Sequence, residues 1–136
     1  MTPPFQRLLV ANRGEIAVRI FRTCRELGIE TVAVYSDADA EALHVRLADR
    51  AVRLGPAPAP DSYLRADAIV EAAVATGAEA VHPGYGFLSV QASYGAAVEA
   101  AGGAVVGPAP RTRASLGDRL GARAAAAAAG VPSVPG

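Results

Sequence analysis

The sequence predicts an α/β fold, a Rossmann-like, doubly wound parallel sheet of about five strands. Short apolar runs rich in β-branched residues alternate along the chain with longer segments of helical periodicity. Neighbouring parallel strands require crossover helices, so this alternation favours a parallel sheet with right-handed connections. The chain has 136 residues, of which 51% are hydrophobic and 19% charged, a composition typical of one globular domain.

The first third of the chain is predicted to form a strand, a helix and a second strand. Residues 7–11 are an apolar run ended by turn residues, as in a buried parallel strand. A helix follows from Gly14 to about Leu27, and Gly28 ends it. Residues 31–35 form the second strand. The apolar stripe of the helix contains Ile16, Ile20, Phe21, Cys24 and Leu27.

The middle of the chain is expected to continue the alternation. A short helix is predicted within residues 38–49 and a third strand at 51–54. Residues 55–60 contain three prolines, which cannot donate backbone hydrogen bonds, so no regular element is expected there. Asp61 or Ser62 is predicted to cap a helix that runs to about Thr76.

The remaining elements are a fourth strand at residues 78–81, a helix at about 90–101, a fifth strand at 104–106 and a helical stretch after Pro110. This last stretch includes a run of alanines ended by Gly130. We expect one domain at residues 1–130. Residues 131–136 have the composition of a linker and are expected to begin a connection to a further region of a longer enzyme.

Composition excludes several functions. All 13 basic residues are arginines, so this chain offers no lysine for a P-loop, a Schiff base or biotin attachment. Acidic residues also number 13, and no basic block is interleaved with aromatics, which argues against a nucleic-acid partner. A single cysteine and the lack of a long apolar span or leader predict a cytoplasmic protein without a membrane contact.

No metal site is expected within the chain. Cys24 has helical spacing to Ile20 and Leu27, which predicts a small buried hydrophobe. His44 and His82 do not have the spacing of metal ligands. A dinucleotide site is also disfavoured, because the first strand-to-helix turn has one glycine, Gly14, where the pyrophosphate fingerprint has three.

The loop at residues 82–89 is the best candidate for a substrate contact. Its sequence, His-Pro-Gly-Tyr-Gly-Phe-Leu-Ser, follows a predicted strand, and ligands bind at the carboxyl ends of strands in open α/β sheets. Tyr85 and the unhindered backbone at Gly84 and Gly86 would then face the ligand. The alternative is a plain turn between a strand and a helix, in which His82 is a hydrogen-bonded structural residue.

Several segments together resemble a known family. They are Asn-Arg-Gly-Glu-Ile-Ala-Val-Arg-Ile at 12–20, Leu-Gly-Pro-Ala-Pro at 54–58, Ser-Tyr-Leu at 62–64, the loop at 82–89 and Gly-Asp at 117–118, together with shorter pairs such as Ala-Asp at 38–39. In this order and spacing they resemble the amino-terminal domain of biotin carboxylase, also called the pre-ATP-grasp domain. That enzyme is the ATP-dependent component of acyl-CoA, pyruvate and urea carboxylases. The resemblance covers nearly all of residues 7–136.

The resemblance implies roles for individual residues. Tyr85 and Gly86 correspond to contacts with the biotin ring. Arg119 stands where the family has a lysine that contacts an ATP phosphate, and arginine keeps the charge with a different geometry. Arg19, Arg22 and Glu26 correspond to a two-fold dimer interface. The alternative for this helix face is ordinary solvation, since surface ion pairs stabilise little.

The resemblance also implies cofactors and partners. The complete enzyme uses ATP, Mg²⁺ and biotin, and it works with an ATP-grasp region, a C-terminal region, a biotin carrier and a carboxyltransferase. This chain alone is expected to bind no cofactor stably and to be inactive. Val90 and Gln91 replace the usual Glu-Asn of the family. Loss of that carboxylate leaves a second hypothesis open, a non-catalytic interaction module that keeps the fold and the dimer helix.

Overall fold

A computed structural model describes residues 2–136 and confirms the predicted α/β fold. Five strands form one parallel sheet in the order β3-β2-β1-β4-β5. The strands are β1 (Arg7–Val10), β2 (Glu30–Ser36), β3 (Arg50–Gly55), β4 (Ala80–His82) and β5 (Ala104–Val105). Because β1 lies in the middle and the chain winds outwards in both directions from it, the sheet is doubly wound.

Helices cover both faces of the sheet. They are α1 (Gly14–Glu26), α2 (Leu43–Leu47), α3 (Ala66–Thr76), α4 (Ala92–Ala100), α5 (Pro110–Leu116) and α6 (Arg119–Ala128). Helix α1 packs through Phe21 and Cys24 against Leu8 and Val10 of β1. Helices α3 and α4 pack on the opposite face, where Leu9 of β1 points. Alternate residues of one strand thus serve two cores, as period-2 geometry requires.

The buried stripe of α1 differs from the predicted one. Phe21 and Cys24 are buried as expected, but Leu27 is 55% exposed and Ile16 and Ile20 are half-buried. Leu27 lies beyond the last helical residue, and the three aliphatic residues line a groove at the border of the helix. The centre of the buried stripe is formed instead by smaller side chains, Ala17 and Val18 among them, because these allow the helix to approach the sheet closely.

The prediction that α3 begins at Asp61 or Ser62 is wrong. Helix α3 begins at Ala66, and Ala59–Asp61 form a 3-10 turn. The hydroxyl of Ser62 donates to the carbonyl of Pro58 at 3.0 Å, which closes this turn. The turn points the side chain of Tyr63 into the protein, where it is 2% exposed. A helix starting earlier would not present Tyr63 in this direction.

Two boundaries in the carboxyl-terminal part also differ from prediction. The helix expected from residue 90 begins at Ala92, because Phe87–Val90 form a 3-10 turn. The final helical stretch is two helices, α5 and α6, separated at Gly117 and Asp118. The Asp118 carboxylate accepts a hydrogen bond from the Gly121 N–H at 2.8 Å, so it caps a new helix.

Residues 131–136 contain no regular element and are exposed. The expected boundary at residue 130 stays a prediction. Within residues 2–136, none of the helices is both long and apolar enough to span a bilayer.

Candidate functional site

The site lies where the winding direction of the sheet reverses, between β1 and β4. Loops that follow two such strands diverge and leave a crevice at the carboxyl edge, which is the usual ligand position in this architecture. Here Asn12 spans the crevice. Its side-chain amide is 3% exposed and donates to the carbonyls of Pro83 at 2.8 Å and Tyr85 at 2.7 Å. The β1 loop therefore holds the β4 loop at two points.

The turn after β4 requires glycine. Gly84 has φ of 64°, and a Cβ on it would lie 2.8 Å from Nδ2 of Asn12. The Gly84 N–H donates to Nδ1 of His82 at 2.9 Å, while burial lowers the pKa of His82. His82 thus acts as a neutral hydrogen-bond acceptor within the turn, which is the structural role considered from the sequence.

Tyr85 and Gly86 are exposed at the tip of this loop. The Tyr85 hydroxyl donates to the Glu15 carboxylate, and this contact raises the pKa of Tyr85, so the phenol is neutral. The backbone N–H groups of Tyr85 and Gly86 have no acceptor anywhere in residues 2–136. The tip therefore offers an aromatic face beside two unpaired donors, an arrangement suited to a flat ring with a carbonyl acceptor.

A buried polar network lies beside this loop, and sequence analysis did not find it. Asp39 is 7% exposed and accepts from Arg13 at 2.5 and 2.6 Å. The Tyr63 hydroxyl donates to the same carboxylate at 2.5 Å and accepts from the Ser36 N–H at 3.0 Å. Hydrogen bonding to Arg13 lowers the pKa of Asp39 to about 2. The carboxylate is therefore ionised, and each polar partner of the network is satisfied.

Aromatic packing joins this network to the loop. The rings of Tyr63 and Phe87 are stacked, with centroids 5.2 Å apart and planes at 23°. Phe87 has φ of 45°, the one non-glycine residue with positive φ among residues 2–136. Such a conformation is strained and persists only where its surroundings hold it. We call Asn12, Arg13, Asp39, Tyr63 and Phe87 the carboxyl-edge cluster.

A buried arginine holds the other end of the loop. Arg113 of α5 is 5% exposed, and it donates to the carbonyls of Ser89 at 2.5 Å and Pro108 at 3.1 Å. Its guanidinium also lies 5.5 Å from the centre of the Tyr94 ring. Like the cluster, this anchor went unnoticed in the sequence, where Arg113 is one of several arginines in a polar helix.

The other predicted residues lie apart from these contacts. Arg119 is the first residue of α6, is exposed, and has no hydrogen bond or ion pair within the described chain. The junction that carries Arg119 does reach the loop, because a Cβ on Gly117 would lie 2.9 Å from the Val90 carbonyl oxygen. Arg19, Arg22 and Glu26 lie exposed on α1.

The described residues do not fit every cofactor that the resemblance implies. Among residues 2–136, no group of three or more His, Cys, Asp or Glu side chains could hold a metal ion. Asn12 lies in the crevice, hydrogen-bonded to the β4 loop, and the turn after β1 has one glycine, Gly14. The exposed Tyr85–Gly86 tip fits one wall of a pocket for a small polar ring.

These features define a Rossmann-like domain with a firmly held loop at the switch point of its sheet. The chain belongs to the family of biotin carboxylase N-terminal domains, whose family model matches residues 4–112.

Relatives of known identity support this assignment. The chain is 59% identical over 131 residues to the mitochondrial methylcrotonoyl-CoA carboxylase subunit alpha of Oryza sativa subsp. japonica, covering 96% of this chain and 18% of that protein. It is 54% identical over 136 residues to the biotin carboxylase of Allochromatium vinosum, covering 100% of this chain and 30% of that protein.

A solved structure shows the same fold. The biotin carboxylase domain dimer of Hydrogenobacter thermophilus 2-oxoglutarate carboxylase, in complex with MgADP, ADP and bicarbonate, superposes with a TM-score of 0.91 at 45% identity. The match covers 97% of this chain and 29% of that one. The chain thus spans less than a third of the length of these relatives.

Proposed function

We propose that this chain forms the amino-terminal domain of an ATP-dependent biotin carboxylase, in which bicarbonate is activated and transferred to biotin on a carrier. The observation that carries the proposal is the Tyr85–Gly86 tip, with its aromatic face and two unpaired N–H groups at the switch point of the sheet. In this role the tip forms one wall of the biotin pocket. The isolated chain would bind no cofactor stably and would not turn over.

Tyr85 and Gly86 would contact biotin in different ways. The two N–H groups would donate to the ureido carbonyl of biotin, and the neutral Tyr85 ring would cover the apolar side of the bicycle. Glu15 fixes the Tyr85 hydroxyl and leaves the ring face free. Arg119 would contact an ATP phosphate from the start of α6, with no acidic side chain of residues 2–136 competing for its charge.

The partners follow from the same proposal. The rest of the enzyme, the ATP-grasp and C-terminal regions, would hold ATP and magnesium, since the described residues offer no metal ligand set. A biotin carrier domain would deliver the ring to the tip, and a carboxyltransferase would consume the product. We place the enzyme in the cytoplasm, although the related rice subunit is mitochondrial.

The proposal is tested with a chimera in which this chain replaces the matching 136 residues of the Allochromatium vinosum biotin carboxylase, to which it is 54% identical. We expect biotin-dependent release of ADP and formation of carboxybiotin. The controls are the isolated chain and the Allochromatium vinosum enzyme without its matching residues. Neither control should catalyse the reaction. A folded chimera that cleaves ATP without any response to biotin would contradict the proposal and favour an interaction module.

We also propose that the exposed face of α1 forms a two-fold contact with a second copy. Arg19, Arg22 and Glu26 carry opposite charges and make no ion pair in residues 2–136, so they are free to pair across a two-fold axis. The Hydrogenobacter relative is a dimer.

Arg22→Glu in the chimera should shift the protein towards monomer, because the substitution produces two like-charge contacts in a symmetric interface. Sedimentation at several concentrations measures this shift. Circular dichroism should be unchanged, since Arg22 is exposed. A dimer of unaltered strength would show that this face is solvated.

A further inference from the structure

We infer that Tyr63 is a positioning residue for the biotin contact, holding the Tyr85–Gly86 tip through Phe87 while its hydroxyl is fixed by Asp39 and Ser36. This inference rests on the proposed function, since it assigns a role in presenting the tip to biotin. Tyr63 itself is 2% exposed and touches no substrate.

Tyr63 is held by its hydroxyl within the buried network. Its hydroxyl makes two hydrogen bonds, one to the Asp39 carboxylate and one from the Ser36 N–H. Asp39 is fixed in turn by both N–H donors of Arg13, 2.5 and 2.6 Å away. A buried hydroxyl between two strong partners has one orientation, and the ring attached to it has one plane.

The plane of the Tyr63 ring constrains the backbone of the tip through the stacked ring of Phe87. Phe87 stacks on Tyr63 and follows Gly86 directly, with φ of 45°. An L-residue does not adopt this conformation without support. If Phe87 left the stack, its backbone would relax towards negative φ and turn the preceding peptide. That peptide contains the Gly86 carbonyl, which accepts from the Ser89 N–H at 2.9 Å.

Phe87 packs against the core cluster that includes Tyr63, and hydrogen bonds fix the loop on either side of it. Asn12 holds the carbonyls of Pro83 and Tyr85, and Arg113 holds the carbonyl of Ser89. Between these anchors lie Gly86 and Phe87, two consecutive residues of the loop with positive φ at the start of the 3-10 turn. The stack on Tyr63 is therefore the aromatic contact through which we expect the hydroxyl network to influence the conformation of the tip.

Hydrogen exchange in the full 136-residue chain tests the inference without relying on catalysis. In Tyr63→Phe the ring stays but the hydroxyl contacts are lost, and we expect the Ser89 amide to exchange about tenfold faster. The sheet amide of Leu9 should be far less affected. Tyr35→Phe is the matched control, because the Tyr35 hydroxyl has no hydrogen-bond partner within residues 2–136.

A second variant keeps the test decisive if Tyr63→Phe does not fold. Phe87→Leu removes the stacked ring from a half-buried position and leaves the Asp39 network intact. It should accelerate Ser89 exchange in the same way. Unchanged Ser89 exchange in both folded variants, or in Phe87→Leu alone when only that one folds, would overturn the inference.

Kinetics of the chimera separate this inference from the proposed function. A positioning role predicts that Tyr63→Phe raises the biotin KM by about fivefold to tenfold while the ATP KM and the kcat at saturating biotin stay unchanged. A merely structural role would reduce the amount of active enzyme and leave both KM values alone. Faster Ser89 exchange with an unchanged biotin KM in an active chimera would contradict the biotin contact itself.

Discussion

The carboxyl-edge cluster, which holds the Tyr85–Gly86 loop, and helix α6, which carries Arg119, are built in opposite ways. Asn12, Asp39 and Tyr63 are at most 7% exposed, and each has at least two hydrogen bonds. Helix α6 has no buried residue, and Leu120 is 76% exposed. The loop that we propose to contact biotin is therefore held in place by buried side chains of this chain, whereas the helix that we propose to contact ATP packs against few of them.

This difference has a physical cause. Helix α6 forms from the high helix propensity of its alanines and from the Asp118 cap, both of which are local in sequence. The cluster joins residues 24 to 26 positions apart, such as Arg13, Asp39 and Tyr63, and it exists only once the sheet has formed. We expect the two regions to respond differently to single substitutions.

The largest effect is expected for Asp39→Asn, which leaves the Arg13 guanidinium without its carboxylate. We predict a loss of about 2 to 3 kcal/mol in the free energy of unfolding at neutral pH, measured by urea denaturation. Asp37→Asn is the matched control, because Asp37 pairs with Arg53 at an exposed site. If Asp39→Asn lowers the free energy of unfolding no more than this control does, the cluster stabilises the fold no more than an exposed ion pair.

The same variant has a defined pH dependence. The pKa of Asp39 is about 2 in the folded protein against 3.8 ordinarily, so the folded state favours the ionised form. This stabilisation is fully present above about pH 4 and is lost as the pH falls towards 2. The difference in unfolding free energy between the native chain and Asp39→Asn should therefore shrink over this range. If the difference in unfolding free energy stays constant with pH, Asp39 is not the ionised partner of Arg13 that stabilises the fold.

A smaller effect is expected for Gly84→Ala. The new methyl group would meet the Asn12 amide at 2.8 Å in a backbone with positive φ, and we predict a loss of about 1 to 3 kcal/mol. Gly130→Ala, at the end of α6, has a similar φ of 75° but nothing within 4 Å. It should cost about 1 kcal/mol. Urea denaturation measures the free energy of unfolding of both variants. Equal decreases in Gly84→Ala and Gly130→Ala would show that the loop at Gly84 is packed no more tightly than the end of α6.

Much of the fold could be predicted from the sequence because its signals are local. Runs of β-branched residues predicted where the strands lie. Gly28, Gly77 and Gly130 were expected to end helices, and they adopt the left-handed conformation that such positions require. The loop at residues 82–89 was found from its turn residues alone. Errors arose where a tertiary contact overrides local preference, as at residues 61–65, where a helix start gives way to the inward turn of Tyr63.

The site was predicted less completely. Tyr85 and Gly86 were predicted because they follow a strand, and their role stays a prediction. No local pattern links Arg13, Asp39 and Tyr63. The one available signal was an aromatic residue between an irregular proline-rich segment and a helix, since an isolated tyrosine at such a position often packs inward. Arg113 gave no such signal, because burial of an arginine on backbone carbonyls depends wholly on the neighbouring elements.

The most direct test of the account compares Tyr85→Ala with Arg119→Ala in the chimera. Tyr85→Ala should raise the biotin KM about tenfold and leave the ATP KM unchanged, because only the biotin wall is lost. Arg119→Ala should instead raise the ATP KM and lower kcat, since a charge-assisted contact is worth about 1.5 to 3 kcal/mol. An active, folded chimera whose biotin KM does not respond to Tyr85→Ala would contradict the assignment of this loop as the biotin wall.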